Sequence, residues 1–239
     1  MKQNGKKDEK IIQIFDLKII DYEEALAIQE KLLMLRKNNY INDVLLLLEH
    51  NPVITIGKRG DQGNILAPEE FLQNQGVKVY FTGRGGDVTY HGPGQIVGYP
   101  IMRFQNYVSG VRELVRGLEE IFIQLLKNDF HIQAKRDFQH PGVWVDNDKI
   151  TALGLSIRSG ITMHGFAFNV NTDLQGFLWI LSCGIVGKGV TSLKKLTNKE
   201  QDLNHIKKLI IKYFADIFQI QTNWQNEKDL RKILENYHE

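Results

Sequence analysis

Cysteine is the rarest residue type in the sequence: Cys183 is the one cysteine among 239 residues. A single thiol excludes an internal disulfide framework and any zinc site built from paired cysteines. No apolar run approaches the roughly 18 residues that a membrane-spanning helix needs. The polar N-terminus, MKQNGKKDEK, also lacks the apolar region of a signal peptide. We therefore expect a cytoplasmic protein that does not enter the membrane.

The chain also has little net charge, since 30 basic and 28 acidic residues leave a formal charge of +2. This excess is too small to indicate a nucleic-acid-binding protein. Hydrophobic residues at 42% and charged residues at 24% are typical of a globular chain. Neither an internal repeat nor a linker divides the sequence. We predict a flexible tail over 1–10 and a single domain over 11–239.

Strand and helix patterns mix along the chain without regular β-α-β alternation. This order predicts an α/β (α+β-like) fold in which helices flank mixed β-sheets. The apolar runs at 44–48 and 53–56 are predicted to be paired strands joined by a turn. A hairpin is expected over 143–158, and the clearest helix over about 109–130.

The densest glycine segment, residues 83–95, reads GRGGDVTYHGPGQ. It lacks the GxxxxGK[ST] spacing of a P-loop, and Val88 replaces the third glycine of a dinucleotide loop. One interpretation is a plain glycine-rich turn between two strands. However, glycines also allow the backbone to approach a ligand closely, and here they separate a guanidinium, a carboxylate, a phenol and an imidazole. The segment therefore favours a binding wall.

Two further residues are candidates for chemistry. A lone cysteine is usually a small buried apolar residue, but Cys183 precedes a stretch rich in glycine and is expected in a loop, where a thiol can act as a nucleophile. Lys149 follows the predicted hairpin tip, where a lysine is usually solvated. Strand alternation places it on the same face as Leu153 and Leu155, which predicts a position at the rim of a pocket.

Metal and serine-hydrolase chemistry find no support in the sequence. The seven histidines do not form HExxH or another ligand spacing, so a metal site is not expected. The Gly154-Leu155-Ser156 tripeptide does not continue into a GxSxG elbow. For His164, in a predicted strand, a structural role is favoured over a ligand role.

Three stretches together resemble the lipoyl(octanoyl)transferase family. They are RGGDVTYHGPGQ at 84–95, HPGVWV at 140–145 continuing into KITALGLSIR at 149–158, and HGFAFNVNTDL at 164–174, with Cys183-Gly184 following. The resemblance implies a fold like the catalytic domain of biotin/lipoate protein ligases. It also implies an activity, the transfer of octanoyl from octanoyl-acyl carrier protein to a lysine of a lipoyl domain, which begins protein lipoylation.

The family pattern also implies roles for individual residues. Cys183 falls on the acyl-thioester nucleophile and Lys149 on the lysine that activates it. Many members have proline before the nucleophile, whereas this chain has Ser182, which puts the preferred acyl chain in question. The implied acyl-substrate-binding residues are Arg84, Gly85, Gly86, Asp87, Val88, Thr89, Tyr90, His91, Ala152, Leu153, Gly154, Gly165, Phe166 and Ala167.

The implied partners are octanoyl-acyl carrier protein as donor and, as acceptors, the lipoyl domains of 2-oxoacid dehydrogenases and the glycine cleavage H protein. No cofactor is implied, because passing an acyl group from a thioester to an amine is downhill without ATP. Other hypotheses about the function stay open. An ATP-dependent lipoate or biotin ligase on the same fold would not need Cys183, and a non-catalytic binder would hold both partners without turnover. A transferase that shuttles octanoyl between two lipoyl-domain proteins is also possible.

Overall fold

The strands of the protein are set by apolar runs and alternating segments. The computed structural model describes residues 10–181 and 188–236. In chain order, its strands are β1 (Ile11–Ile20), β2 (Asp43–His50), β3 (Val53–Ile56), β4 (Lys78–Phe81), β5 (Val88–His91), β6 (Gln95–Ile101), β7 (Lys135–Arg136), β8 (Gly142–Val145), β9 (Asp148–Arg158), β10 (Ile161–Asn169), β11 (Gly189–Val190) and β12 (Gln221–Trp224).

Within the described ranges these strands form one large and one small sheet. The large sheet has nine strands in the order β12-β1-β2-β6-β10-β9-β8-β7, with β11 paired to β9. The small sheet has the order β4-β3-β5. The pairs β12-β1, β1-β2, β3-β4 and β11-β9 are parallel and the others antiparallel. The predicted mixed sheets are therefore confirmed.

Helices cover both faces of the large sheet. The α-helices are α1 (Tyr22–Lys37), α2 (Glu69–Asn74), α3 (Val111–Phe130), α4 (Leu193–Thr197), α5 (Leu203–Phe218) and α6 (Glu227–Glu235). Short 3-10 helices span Gln62–Asn64, Phe104–Asn106 and Leu174–Trp179.

Strand β2 shows why both faces are apolar. Leu45 and Leu47 pack with α3 and α5, whereas Leu46 and Leu48 pack with α1 and α6. Successive side chains of a strand point to opposite faces, so a strand covered on both sides needs an unbroken apolar run. All eight residues of β2 are buried.

One predicted pairing is wrong. The runs at 44–48 and 53–56 are strands, but they do not pair with each other. Strand β2 joins the large sheet between β1 and β6, and β3 joins the small sheet between β4 and β5. The Asn51-Pro52 turn therefore carries the chain from one sheet to the other. The predicted hairpin is confirmed as β8-β9, and the predicted long helix is α3, beginning at Val111.

The central strands place small residues side by side. Gly154 of β9 pairs with Gly165 of β10, and Ala152 pairs with Ala167. At the same strand, the backbone N–H of Gly85 donates to the carbonyl of Leu155 at 2.9 Å. This hydrogen bond brings the glycine-rich segment onto the edge of the large sheet, where its residues face those of β9 and β10.

Candidate active site

A cavity lies between the glycine-rich segment and strands β9 and β10. Its empty volume, including its open mouth, is about 920 Å³, within the usual range of small-ligand sites. The predicted substrate-binding residues on its wall are Arg84, Gly86, Asp87, Val88, Thr89, His91, Ala152, Leu153, Gly154, Gly165, Phe166 and Ala167, and Lys149 lies there too. Residues from three distant parts of the sequence thus meet at one cavity.

Two predicted residues lie away from this wall. Gly85 borders a neighbouring groove instead. The Tyr90 ring is buried in the core of the small sheet, edge-on to Phe177 and Trp179 at 5.5 and 5.6 Å between centroids. Any side chain at Gly176 would collide with that ring. The position of Tyr90 therefore supports the 3-10 helix Leu174–Trp179, which precedes Cys183 in the sequence.

The side chain of Arg84 fixes the shape of the glycine-rich segment. It is buried, with 8% of its surface exposed. Its Nη2 donates to the carbonyls of Thr55 and Asp87 at 2.6 and 2.7 Å, and its Nε donates to Thr55 Oγ1 at 3.0 Å. The guanidinium thus ties this segment to β3. A Cβ at Gly154 would lie 2.8 Å from the carbonyl oxygen of Gly85, so only glycine permits this close packing.

Lys149 lies at the rim of the cavity, against an aromatic ring. Its ammonium lies 4.8 Å from the centroid of Trp144, and the ammonium of Lys188 lies 4.5 Å from the same centroid. Lys188 also pairs with Asp137, an ion pair that lowers the pKa of that carboxyl to about 2. Trp144 is buried, and its Nε1 donates to the carbonyl of His140 at 3.2 Å. A fixed indole therefore carries two cations at the rim.

A chain of buried amides connects the cavity to the segment after residue 187. His91 Nδ1 lies 2.6 Å from Gln95 Oε1, and Gln95 Nε2 donates to Asn169 Oδ1 at 2.8 Å. Asn169 Nδ2 donates in turn to the carbonyl of Thr191 at 3.0 Å. The Thr191 N–H donates to the carbonyl of Lys149, also at 3.0 Å. Lys149 and the cavity wall are thus held by one hydrogen-bonded network.

Burial makes the histidines around the cavity poor bases. It lowers the pKa of His91 to about 3 and the pKa values of His50 and His164 to about 4. The positive charge of His50 lowers the pKa of His91 further, and the positive charge of Arg84 lowers the pKa of His164. Burial also raises the pKa of Tyr22 to about 12. These groups are neutral at pH 7, so they suit an uncharged ligand such as an acyl chain.

Cys183 lies outside the described residues, as does Ser182. The described residues on both sides of that stretch are anchored at the cavity. The N–H of Leu181 donates to the Asn64 carbonyl at 2.7 Å, and Asn64 Nδ2 donates to Asp87 at 2.8 Å. On the other side, Lys188 lies on the cavity wall.

Several wall residues were not predicted from the sequence: Tyr22, Gln95, Val97, Tyr99, Trp144, His164, Asn169, Phe177, Lys188, Gly189 and Val190. Gln95, Trp144, His164 and Asn169 stand inside the three recognised stretches, so a signal for them existed. For His164 the sequence favoured a structural role, and the structure shows that the residue also lies on the cavity wall. Tyr22 carries no sequence signal, because helix α1 reaches the cavity only through tertiary packing.

Over residues 10–181 and 188–236, histidine, aspartate and glutamate do not gather into a group of three or more that could hold a metal ion. In the same ranges, the structure contains no helix that is both long and apolar enough to span a membrane.

Comparisons with known proteins identify the class to which this mixed sheet and its cavity belong. The model for the lipoyl protein ligase A/B catalytic domain matches residues 21–215. Two solved structures share the fold. Lipoate-protein ligase A bound with ATP has a TM-score of 0.71 at 12% identity, over 95% of this chain and 93% of that one. A bipartite lipoate protein ligase from Thermoplasma acidophilum, described with its E2 lipoyl domain, has a TM-score of 0.71 at 13% identity, over 94% and 90%.

The particular family follows from closer relatives. An octanoyltransferase of Desulforamulus reducens is 48% identical over 90% of this chain and 94% of its own length. An octanoyltransferase of Caldicellulosiruptor saccharolyticus is 48% identical over 91% and 93%. The chain belongs to the octanoyltransferase family within the lipoyl protein ligase A/B catalytic domain family. It is an acyltransferase of protein lipoylation.

Proposed function

We propose that the protein takes octanoyl from the phosphopantetheine thioester of acyl carrier protein and delivers it to a lysine of a lipoyl domain, through a thioester on Cys183. The acceptors are lipoyl domains of 2-oxoacid dehydrogenases and the glycine cleavage H protein. A solved neighbour, the Thermoplasma ligase, is described with an E2 lipoyl domain, which supports acceptors of this class.

The observation that carries the proposal is the position of Lys149 on the wall of the acyl cavity, hydrogen-bonded through its backbone to the segment that follows Cys183. An ammonium favours the thiolate form of a nearby thiol, and the thiolate is the nucleophile. Lys149 is therefore proposed to activate Cys183. The twelve predicted residues on the cavity wall are proposed to hold the acyl chain.

In the first half-reaction, the Cys183 thiolate attacks the octanoyl carbonyl. A carbon–sulfur bond to Cys183 forms and the carbon–sulfur bond to phosphopantetheine breaks. The departing sulfur takes a proton from the Lys149 ammonium, so the carrier leaves as a thiol and Lys149 is left neutral.

In the second half-reaction, neutral Lys149 takes a proton from the ammonium of the target lysine. The resulting amine attacks octanoyl-Cys183, a carbon–nitrogen bond forms, and the Cys183 thiolate leaves. The second proton of the nitrogen passes to solvent. Because the enzyme is acylated between the two substrates, ping-pong kinetics are expected.

Binding of the acyl chain is expected to come from its apolar surface. Burial of eight carbons at about 0.8 kcal/mol per methylene contributes on the order of 5 kcal/mol. Ala152, Gly154 and Gly165 leave room for that chain, because their side chains are small or absent. The neutral histidines and tyrosines on the wall add no ionised group that would oppose it.

The test is transfer to a lipoyl domain without ATP. The protein is mixed with octanoyl-acyl carrier protein and a lipoyl domain, and the acceptor is weighed by mass spectrometry. The proposal predicts a gain of one octanoyl group, and none with Cys183→Ala. A gain that requires ATP and free octanoate, and that persists in Cys183→Ala, would instead identify an ATP-dependent ligase.

A further inference from the structure

A second groove adjoins the acyl cavity at Lys149. Its empty volume, including its open mouth, is about 1150 Å³. Five residues border both spaces, so the groove and the cavity share a wall: Gly86, Asp87, Lys149, Leu153 and Gly154. Its other walls are formed by Arg59, Gly85, Val111, Val115, Gln139, His140, Pro141 and Leu155.

Beside the groove, one edge of strand β9 has a short stretch that is not paired with another strand of the described residues. Strand β8 pairs with β9 as far as Gly142 opposite Ala152. The next contact along that edge, among the described residues, is the hydrogen bond from Gly85 to the Leu155 carbonyl. Leu153 and Gly154 lie between these two contacts. Lys149 itself borders the groove, so a narrow substrate bound there would meet its side chain.

The charges along the groove favour an anionic occupant. Arg59 is exposed and borders the groove, and its backbone N–H donates to the Gly86 carbonyl at 3.1 Å. Asp87 is the carboxylate on the shared wall, and its oxygens already accept hydrogen bonds from Asn64 Nδ2 at 2.8 Å and the Val88 N–H at 2.7 Å. The first turn of helix α3 adds the partial positive charge of a helix N-terminus. The carboxylate of that turn, Glu113, accepts hydrogen bonds from the N–H and hydroxyl of Ser109 at 2.8 and 2.7 Å.

We propose that this groove binds the phosphopantetheine arm of the acyl donor and that Arg59 contacts its phosphodiester. The inference rests on the proposed function, because the donor must present its thioester at Lys149. The arm is long, thin and flexible, and its one charged group is an anion at the end remote from the thioester. The acceptor instead brings a short lysine side chain whose cation Arg59 would repel. Shape and charge therefore assign the groove to the donor.

The test separates the phosphate from the rest of the arm. KM and kcat are measured with octanoyl-phosphopantetheine and with octanoyl-pantetheine, which lacks the phosphate, using the whole protein and a saturating lipoyl domain. For Arg59→Ala, the expected result is a rise of about tenfold in the KM for the phosphorylated donor, as for the loss of one charged hydrogen bond. The KM for octanoyl-pantetheine should change less than twofold. Rescue by Arg59→Lys should be partial, since lysine keeps the charge but not the planar fork.

The matched control is Lys58→Ala. Lys58 is exposed and adjacent in sequence, but it borders neither the groove nor the acyl cavity. Lys58→Ala removes one positive charge, as Arg59→Ala does, and should leave both KM values unchanged. Equal effects of Arg59→Ala on both donors, or an equal effect of Lys58→Ala, would overturn the assignment. Failure of the unchanged protein to turn over octanoyl-acyl carrier protein would instead refute the proposed function on which the assignment depends.

Discussion

Lys149 and Lys188 place their ammonium groups on the same indole ring, 4.8 and 4.5 Å from the centroid of Trp144. Lys149 belongs to strand β9, whereas Lys188 directly follows the six-residue stretch that contains Cys183. The ring therefore joins the proposed activating lysine to the residue that follows this stretch in the sequence. Asp137 pairs with Lys188 and balances one of the two charges.

Removing the Lys149 charge should slow catalysis without unfolding the protein. Lys149→Met keeps much of the side-chain length and removes the proton donor and acceptor. General acid–base catalysis contributes about 10²–10⁴-fold, so kcat should fall within that range while KM changes little. Steady-state transfer to a lipoyl domain measures both constants. Lys195→Met is the control, because Lys195 is exposed and lies off the cavity wall. Equal activities of the two variants would contradict the role of Lys149.

A methyl group should be tolerated at Gly83, within the glycine-rich segment, but not at Gly154 of β9, which packs against that segment. A Cβ at Gly154 would lie 2.8 Å from the Gly85 carbonyl and 3.3 Å from the Arg84 side chain. Gly154→Ala should therefore displace the segment, at a cost of about 1–3 kcal/mol in the free energy of unfolding, and raise the KM for the donor. At Gly83, a Cβ would meet only the flexible end of Arg158 at 3.4 Å. Urea unfolding should show little change for Gly83→Ala, and the same loss in both variants would disprove this account.

Replacing the amide of Asn169 with a carboxylate should lower both stability and activity. Its Nδ2 donates to the Thr191 carbonyl, and its Oδ1 accepts from Gln95. Aspartate has nearly the same shape as asparagine, but its carboxylate cannot donate a hydrogen bond. In Asn169→Asp, the buried carbonyl oxygen of Thr191 would therefore face a negatively charged oxygen instead of an N–H donor. The expected loss is about 1–3 kcal/mol of unfolding free energy, together with a lower kcat because the segment after Cys183 is held less firmly. Calorimetry and turnover at pH 7 check both effects. Wild-type values for both would show that the network does not position this segment.

The buried histidines should make the protein sensitive to acid. The folded-state pKa values of His50 and His164 are about 4 and that of His91 about 3, whereas an unfolded histidine titrates near pH 6.5. Between these values the unfolded chain binds more protons, so the stabilisation is complete above about pH 6.5 and is lost as the pH falls towards 4.

Replacing one of these histidines should flatten the pH profile. For His50→Asn, the slope of unfolding free energy against pH should decrease by up to about 1.4 kcal/mol per pH unit in that window. Urea titrations from pH 4.5 to 7 measure the slope. His205→Asn, at an exposed position, is the control and should keep the wild-type slope. An unchanged slope in His50→Asn would show that His50 does not titrate as its burial requires.

Local patterns predicted the parts of the structure that depend on neighbouring residues. The β8-β9 hairpin follows from alternating apolar residues on both sides of a polar tip, and this hairpin places Lys149 at the rim of the cavity. The pairing of 44–48 with 53–56 could not be predicted in this way. Both runs are continuously apolar, so their sequence does not specify which neighbour each strand takes.

The cavity wall shows the same division between local and long-range information. The glycine-rich segment and the small residues at 152, 154, 165 and 167 are visible in the sequence. The contributions of Tyr22 and Lys188 depend on chain segments that meet only after folding. Tyr90 lies within the most specific motif, but alternation along β5 directs its ring into the core of the small sheet. The catalytic and binding roles, and the division at 1–10 and 11–239, stay predictions.

A covalent octanoyl-enzyme is the intermediate that the proposed mechanism requires, and intact-protein mass spectrometry detects it. The enzyme is mixed with octanoyl-acyl carrier protein in the absence of ATP and of any lipoyl domain. The proposed mechanism predicts a mass increase of one octanoyl group that is absent in Cys183→Ala and that disappears when a lipoyl domain is added. An unchanged enzyme mass, with octanoyl nevertheless reaching the lipoyl domain, would contradict the covalent mechanism.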